Sequence, residues 1–454
     1  MEDAIRKKDY SNMITGPTFG KIIMFSIPVI LSGILQLLFN AADIIVVGKF
    51  AGDESLAAVG STSSLINLFT NVFIGLSVGT NVLIAHFVGA GNKDKVSTTV
   101  HTSLVVGVLC GVFLTIAGFF LANPVLRLMG NPDNVIGLAT LYLKIYFLGT
   151  PALLVYNFGA AMLRAIGDTK RPLYFLTAAG VLNVILNMIL VIIFSMGVAG
   201  VGIATVISEY LSAILVVWYL YKKGGILKID PSKLGIDKFI LGRIIAIGFP
   251  AGLQGTVFAI SNVVIQSAVN SFGSDVIAGN SATMNIEGFV YIAMNSIYQT
   301  AITFVGQNYG AGKKDRVLRC TLQCEALVTV VGLIFGWLAF ILRTPLLNIY
   351  TNSQTVIAAG RIRCMYILPL YFLCGNMDVM VGALRGIGQS IVPMITSMIG
   401  ACALRLAWIA TVFKFNRTTK MLYVSYPITW TVTLIAHILF FIHVFKKIPD
   451  KTKK

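Results

Sequence analysis

The polar residues of the first apolar stretch fall on one helical face. Ser32, Gln36, Asn40 and Asp43 follow one another at intervals of four, four and three residues, a spacing that aligns side chains along one side of an α-helix. An acid in such a stretch is expensive to bury and usually serves function, because its carboxylate can take up a proton or hold a cation. The alternative is a hydrated acid at a helix end, since Asp43 lies only six residues before Lys49. The stripe predicts an ion- or proton-binding position.

The chain that carries this stripe has the composition of an integral membrane protein. Of its 454 residues, 56% are hydrophobic and only 12% are charged, against roughly 25% charged residues in a typical soluble domain. Apolar stretches of about 20 residues can cross a bilayer as helices, whose backbone groups are satisfied within the segment. Twelve such stretches cover residues 21–47, 57–88, 98–122, 135–163, 173–196, 201–221, 239–271, 276–305, 317–342, 357–384, 391–413 and 421–444. We therefore expect an all-α membrane protein with twelve transmembrane helices.

The basic residues are distributed as expected for membrane orientation rather than for nucleic-acid binding. The formal net charge is +17, and most Lys and Arg fall on segments that face the cytoplasm if the N-terminus is inside. A nucleic-acid role needs a basic soluble face with interleaved aromatic residues, and no segment offers one. The N-terminal sequence MEDAIRKKDYSNMITGP has no apolar signal-peptide core. The prediction is a multi-pass protein of the cell (inner) membrane with both termini cytoplasmic.

The sequence contains an internal duplication. Three pairs of segments match at a nearly constant offset of 221 or 222 residues: GKIIMFSIPVILSG (20–33) with GRIIAIGFPAGLQG (242–255), FVGAGNKDKV (87–96) with NYGAGKKDRV (308–317), and MLRAIGDTKRPLYF (162–175) with ALRGIGQSIVPMIT (383–396). Each copy contains six predicted spans. Because six is even, both copies enter the membrane in the same direction and form parallel repeats.

The duplication predicts two parallel six-helix lobes related by a pseudo-twofold axis along the membrane normal. Rocking of two such lobes opens a central cleft to each side in turn, as in a carrier. The expected segments are a cytoplasmic N-terminal segment (1–20), an N-lobe (21–221), a cytoplasmic linker (222–238), a C-lobe (239–445) and a basic cytoplasmic tail (446–454). Pro28 and Pro250 occupy equivalent places in the two copies, and each removes a backbone hydrogen bond. Pro28 is therefore a hinge candidate for the segment that bears Asp43, with a static kink as the alternative.

Several motifs of this chain occur in one known family. The loops GAGNKDKV and GAGKKDRV after the second and eighth spans, and LRAIGDTKRP and LRGIGQSIVP after the fourth and tenth, resemble those of the multidrug and toxic compound extrusion (MATE) transporters. The stretch IPVILSGILQLLFNAADIIVVGKFAGDESLAAVG also resembles the first span and following loop of that family. The resemblance covers residues 16–444. The seventh span, GTVFAISNVVIQ, lacks the acid of NorM-like members, so the chain is more similar to the DinF-like prokaryotic branch.

The resemblance implies secondary active antiport, in which inward flow of protons or sodium drives the export of cationic or amphipathic drugs. It also implies a coupling-ion site formed by Asp43, Asn183, Asn187 and Thr205. Asn183 and Asn187 lie four residues apart on one helical face, and they offer oxygens to a cation or hydrogen bonds to Asp43. Many relatives have Asp at the position of Asn187. The missing second carboxylate favours protons as the coupling ion, with sodium at these four residues as the alternative.

Further polar residues within the predicted spans are accessory candidates for this site: Gln36, Asn40, Tyr142, Glu209 and Asp378. Gln36 and Asn40 belong to the stripe on the first span. Glu209 lies one helical turn beyond the sixth-span threonine and is a candidate to supply the missing carboxylate. Tyr142 and Asp378 are included because the resemblance places a tyrosine and an acid near their positions.

Opposite charges are also expected inside the membrane in the second half of the chain. We expect Glu287 on the eighth span and Arg405 on the eleventh to form a structural ion pair, because an isolated buried charge is costly. Five acids within the spans (Asp43, Glu209, Glu287, Glu325 and Asp378) stand against two bases (Lys144 and Arg405). This balance favours cationic substrates over the anionic lipid of a lipid-linked sugar flippase, which is the alternative from the same superfamily.

A polytopic membrane enzyme is the alternative from another functional class. The four histidines form no metal-ligand spacing, and the chain has no Gly-rich phosphate loop. We therefore expect no catalytic residues and no cofactor apart from the coupling ion, H⁺ or Na⁺. The expected partners are small-molecule drugs and membrane lipids, without nucleic acid, and the chain is expected to act as a monomer.

Overall fold

The computed structural model describes residues 13–129 and 131–449, apart from the side chain of Asp53, and within these ranges it contains helices and no β-strand. The expected terminal segments 1–20 and 446–454 therefore lie partly outside the described residues. The helices of the first half are α1 (Phe19–Phe50), α2 (Asp53–Gly89), α3 (Lys93–Leu128), α4 (Asp133–Leu148), α5 (Thr150–Ala165), α6 (Lys170–Asn187) and α7 (Gly197–Lys223). A π-helical segment, Met188–Ile193, directly continues α6.

The second half contains counterparts of these elements together with additional short helices. Its helices are α8 (Lys238–Asn270), α9 (Ser274–Gly310), α10 (Lys314–Ile341), α11 (Arg343–Asn348), α12 (Gln354–Ile367), α13 (Phe372–Gly386), α14 (Ile391–Ser397), α15 (Leu404–Ala410), α16 (Val412–Phe415) and α17 (Thr419–Lys447). A π-helical segment, Met398–Ala403, joins α14 to α15. Within the described residues, nine helical stretches are long and apolar enough to cross a membrane, and two bent helix pairs form one further span each. Helix α9 is long enough but richer in polar residues.

The bent pairs are spans that the sequence pattern predicts as single helices. Helices α4 and α5 meet at 46°, and α12 and α13 meet at 47°. Pro151 lies in the first turn of α5, and Pro369 lies in the short 3₁₀ turn before α13. Proline removes a backbone donor and its ring displaces the preceding turn, so each span bends where its proline lies.

Glycines in left-handed conformation occur at matching places in the two halves. Gly52, Gly91 and Gly167 have φ angles of 86°, 71° and 94°, and the glycines 221 positions later, Gly273, Gly312 and Gly388, have 95°, 70° and 88°. Residues with a Cβ atom rarely adopt these angles. The duplicated sequence motifs therefore form the same turns in both halves, which supports the internal repeat.

The chain divides into two compact units whose borders lie within helices. Among the described residues, one unit consists of those between 27 and 252, and the other consists of those before 27 together with those from 253 onward; they are called unit 27–252 and unit 253–454. The borders fall beside Pro28 in α1 and beside Pro250 in α8, although both helices are continuous through these prolines.

Within unit 27–252, the first part of α8 packs closely against α2. A Cβ atom on Gly75 would collide with the backbone of Gly252, and one on Gly79 would collide with that of Ile244. Small residues four positions apart allow such close backbone contact between membrane helices.

The segment between α7 and α8 is attached to the same unit. His101 Nε2 accepts a hydrogen bond from the Asp230 backbone N–H at 2.9 Å, and Thr102 Oγ1 accepts one from the Asp237 N–H at 3.1 Å. Two hydrogen bonds from Ser232 to the Asp230 carboxylate hold the pKa of this exposed acid below its usual range. This segment corresponds to the expected linker 222–238.

Candidate functional site

Helices α1, α6 and α7 bring the predicted coupling residues together. Gly180 lets α6 approach α1, since a Cβ atom at this position would overlap the ring of Phe39. A tight turn then leads from the π-helical segment into α7, with Ser195 at φ 52° and Gly197 at φ 53°. Gly200 at the start of α7 packs against Leu190 of the π-helical segment. Segments of π-helix frequently occur at functional sites.

Four predicted residues form one continuous chain of hydrogen bonds. Asn187 Nδ2 donates to Asp43 Oδ1 at 2.5 Å and to Asn183 Oδ1 at 3.2 Å. Asn183 Nδ2 donates to Thr205 Oγ1 at 3.5 Å, and the Thr205 hydroxyl donates to the Val201 carbonyl at 3.0 Å. Asn187 is therefore the donor at the branch point: on one side it donates to the acid of α1, and on the other side the bonds run through Asn183 and Thr205 to a backbone carbonyl of α7.

The side chains of this hydrogen-bond chain differ from the oxygen ligands of a dedicated cation-binding site. It offers one carboxylate, two amide oxygens and one hydroxyl, and Asn187 directs its NH₂ group rather than its oxygen at Asp43. The Asn187 oxygen is buried without a hydrogen-bond partner. A sodium ion at Asp43 would need that oxygen where the NH₂ group now lies, because hard cations require oxygen ligands. Among the described residues, no group of three or more His, Cys, Asp or Glu side chains is arranged to hold a metal ion.

Glu209 lies near this chain of hydrogen bonds, but its side chain forms no hydrogen bond with the members of the chain. Its Oε2 atom is buried without a hydrogen-bond partner, and a Cβ atom on Gly149 would collide with that oxygen. Tyr142 and Tyr146 lie within electrostatic range of both Glu209 and Asp43. The sequence reasoning missed Tyr146, although its position one turn after Tyr142 was a usable signal.

The remaining accessory candidates are placed outside the hydrogen-bond chain. Gln36 and Asn40 are exposed on α1, and the side chain of neither forms a hydrogen bond with any described residue of the protein. The Ser32 hydroxyl donates to the Pro28 carbonyl at 2.8 Å. Asp378 belongs to the other compact unit, where it lies on α13 and interacts with Tyr291 through a hydrogen bond.

The expected ion pair between Glu287 and Arg405 is wrong. Arg363 on α12 pairs with both oxygens of Glu287, at 2.8 Å and 2.6 Å, and also donates to Asn280 at 2.8 Å. Arg405 instead donates to Thr429 at 2.9 Å. A planar guanidinium binds a carboxylate best with two parallel hydrogen bonds, and the position of Arg363 permits this geometry.

The comparison of five acids with two bases in the spans is also wrong. Arg363 lies buried within the predicted tenth span, and Arg385, one residue beyond its predicted end, is buried as well. Arg385 donates to Gln254 at 2.9 Å and also bonds the hydroxyl of Tyr298. The balance of buried charge therefore does not discriminate against anionic ligands in the second half of the chain.

A protein-family comparison matches both halves of the chain. The model described as MatE matches residues 28–189 and 250–410, so each copy of the duplication is matched once. Relatives match along almost the whole length. The probable multidrug resistance protein YoeA of Bacillus subtilis (strain 168) is 27% identical over 435 residues, which cover 93% of each chain. The FAD transporter of Shewanella oneidensis is 24% identical over 434 residues, covering 93% of this chain and 94% of the relative.

Solved structures share the fold. One is described as the outward-facing conformation of a multidrug resistance MATE family transporter of the MOP superfamily. It has a TM-score of 0.90 at 21% identity and covers 96% of this chain and 98% of its own. This likeness confirms the all-α, twelve-helix fold expected from the sequence. The chain is a multi-pass membrane protein, and it belongs to the MatE family of multidrug efflux transporters rather than to a class of enzymes.

Proposed function

We propose that this protein is a proton-coupled antiporter that exports organic cations, with Asp43 as the group that carries the coupling proton. The observation that supports this proposal is the hydrogen-bond chain in which Asn187, rather than a second acid, donates to Asp43. A single carboxylate exchanges one charge, and one proton neutralises it.

The geometry suggests how exchange would proceed at Asp43. Its Oδ1 atom accepts the hydrogen bond from Asn187, whereas Oδ2 accepts none from the described residues and is available to carry a proton. The ionised carboxylate attracts a cationic drug. Protonation from outside removes that charge, so the drug loses its electrostatic partner and leaves on the outer side.

Movement between the inward- and outward-open states requires a flexible element next to the site. Pro28 lies beside the border of the compact units within α1, fifteen residues before Asp43. We propose Pro28 as the hinge of the segment that carries the coupling acid, because proline leaves an open position in the helical hydrogen-bond ladder. Both termini face the cytoplasm in this proposal.

The test is transport of a fluorescent organic cation in inside-out membrane vesicles, with proton and sodium gradients imposed separately. We expect the wild type to respond to the proton gradient and Asp43→Asn to lose that response by at least tenfold while its expression stays normal. Asn187→Asp adds the second carboxylate and should introduce a response to sodium. Asp230→Asn, which removes an exposed acid outside the spans, is the matched control and should transport normally.

Three results would contradict the proposal. Proton-driven transport that persists in Asp43→Asn would exclude this residue as the coupling group. A wild type that responds only to sodium would exclude the proton as the coupling ion. A wild type that responds to neither gradient would exclude antiport, and movement of a lipid-linked sugar in the same vesicles would then favour the flippase alternative.

A further inference from the structure

Unit 253–454 contains a buried cationic group that has no acidic partner. Arg405 is 3% exposed, and its Nε atom is buried without a hydrogen-bond partner. Among the described residues it forms no salt bridge, since Glu287 is occupied by Arg363. An isolated charge in a membrane protein interior is costly and is normally compensated by a charge of opposite sign. An anion bound beside Arg405 would compensate this charge, which no salt bridge among the described residues does.

Aromatic side chains extend from this arginine. The Arg405 guanidinium lies 4.1 Å from the centre of the Tyr426 ring, and the Arg363 guanidinium lies 5.3 Å from the same ring. Trp430 contacts Tyr426 with ring centres 5.7 Å apart, and Tyr371 contacts Trp430 at 5.4 Å. Aromatic faces attract other aromatic rings, and guanidinium groups stack on them.

The charges of this cluster sum to an excess of positive charge. It contains the guanidinium groups of Arg363 and Arg405 and the carboxylate of Glu287. The Arg363–Glu287 pair is already satisfied by two direct hydrogen bonds. The Nε–H of Arg405 has no hydrogen-bond partner, and a guanidinium recognises carboxylate and phosphate groups by directed hydrogen bonds.

In the internal repeat, several residues of this cluster occupy positions that correspond to residues of the proposed coupling site or its neighbours. Three correspondences hold at the offset of 221 residues: Tyr142 with Arg363, Thr205 with Tyr426, and Glu209 with Trp430. Arg405 corresponds to the direct neighbour of Asn183. The same framework therefore carries acids and amides in the first half and arginines and aromatic rings in the second.

We propose that unit 253–454 contains a binding site for a planar aromatic anion, in which Arg405 binds the anionic group and Tyr426 and Trp430 contact the ring system. This site is separate from Asp43, and the proposal does not depend on proton coupling or on the export of cations. It adds a ligand class of opposite charge to the one proposed above.

The test uses two dyes with the same xanthene skeleton and opposite charge. The full-length protein in lipid nanodiscs is titrated against carboxyfluorescein, an anion, and against rhodamine 6G, a cation, and binding is followed by fluorescence anisotropy. We expect Arg405→Gln to weaken carboxyfluorescein binding at least tenfold and to change rhodamine binding less than twofold. Arg361→Gln, which removes an exposed arginine from α12, should leave both affinities unchanged.

A second measurement uses only the wild type, so it tests the proposal even if Arg405→Gln fails to fold. Bound carboxyfluorescein is displaced from the wild type with 2-naphthoate, with the neutral 2-naphthamide, or with chloride. We expect 2-naphthoate to compete at least tenfold better than either of the others. The proposal is overturned if the wild type does not bind carboxyfluorescein, if folded Arg405→Gln binds it with unchanged affinity, or if naphthamide or chloride competes as well as naphthoate.

Discussion

The Arg363–Glu287 pair provides a quantitative test of how the second half of this transporter is stabilised. Arg363→Met removes the guanidinium and leaves Glu287 buried without a cation. Two charge-assisted hydrogen bonds of 2.8 Å and 2.6 Å are lost, and bonds to charged groups contribute about 1.5–3 kcal/mol each. Breaking one side of a buried pair typically costs about 3–5 kcal/mol in the free energy of unfolding. Both routes correspond to an increase of about two to four orders of magnitude in the unfolding equilibrium constant.

The double variant distinguishes an ion pair from two independent contributions. In Glu287→Met with Arg363→Met neither charge remains, and replacement of a buried pair by apolar residues of similar volume is often close to neutral. We therefore expect each single variant to lose about 3–5 kcal/mol and the double variant to lose much less than the sum. The measurement is SDS-induced unfolding in mixed micelles, followed by tryptophan fluorescence, for the wild type and the three variants.

The control for this cycle is Arg361→Met, because Arg361 is exposed on the same helix. It should change the free energy of unfolding by less than about 0.5 kcal/mol, as surface substitutions usually do. Strictly additive effects of the two single variants would refute the pairing. A loss below about 1 kcal/mol in each single variant would show that the two charges are hydrated rather than buried.

Two further predictions concern the geometry of unit 27–252. Gly180→Ala would place a methyl group in the ring of Phe39, and overpacking of this kind costs about 1–3 kcal/mol; we expect α6 to move away from α1 and cation transport to fall at least tenfold. His101→Ala removes the acceptor for the Asp230 N–H, and one hydrogen bond contributes about 1 kcal/mol. We therefore expect trypsin to cleave the segment between α7 and α8 roughly fivefold faster in limited proteolysis of the folded protein.

Each of these predictions has its own control. For Gly180→Ala, the second substitution Phe39→Ala removes the obstructing ring and should restore most of the transport; a double variant as inactive as the single one contradicts the steric explanation. For His101→Ala, the substitution Thr102→Ala removes the acceptor for the Asp237 N–H and should increase cleavage further. An unchanged cleavage rate in both variants would show that these side chains do not hold the segment in place.

The sequence predicts that the four residues of the hydrogen-bond chain belong to one site, because periodicity and motif position apply directly to continuous helices. Asn183 and Asn187 share a face through the helical repeat, and Asp43 and Thr205 match the motif positions of the family. All four lie in one chain of hydrogen bonds. The same periodicity predicts the polar stripe on α1, but it does not predict that Gln36 and Asn40 are exposed.

The partner of Glu287 was not predictable in the same way, because helical periodicity does not determine which helices are neighbours. Arg363 lies near the start of its span, where a basic residue resembles a charge at the membrane boundary. The polar positions Asn280, Thr283 and Glu287 on one face of α9 were the available signal that a buried partner exists. The bends at Pro151 and Pro369 were missed for a related reason: hydropathy identifies a span but carries no information on its direction.

The duplication explains both results. The two halves retain the same turns, as the paired left-handed glycines show. A turn that requires a positive φ angle strongly favours glycine. The side chains at the corresponding positions have diverged: at the offset of 221 residues, Thr205 corresponds to Tyr426 and Glu209 corresponds to Trp430. Membrane helix packing requires small residues and satisfied backbones but leaves the polar residues of an interior site free to change. A repeat detected in the sequence therefore predicts where a second site lies, whereas the charge of its ligand must be inferred from the residues of that copy alone.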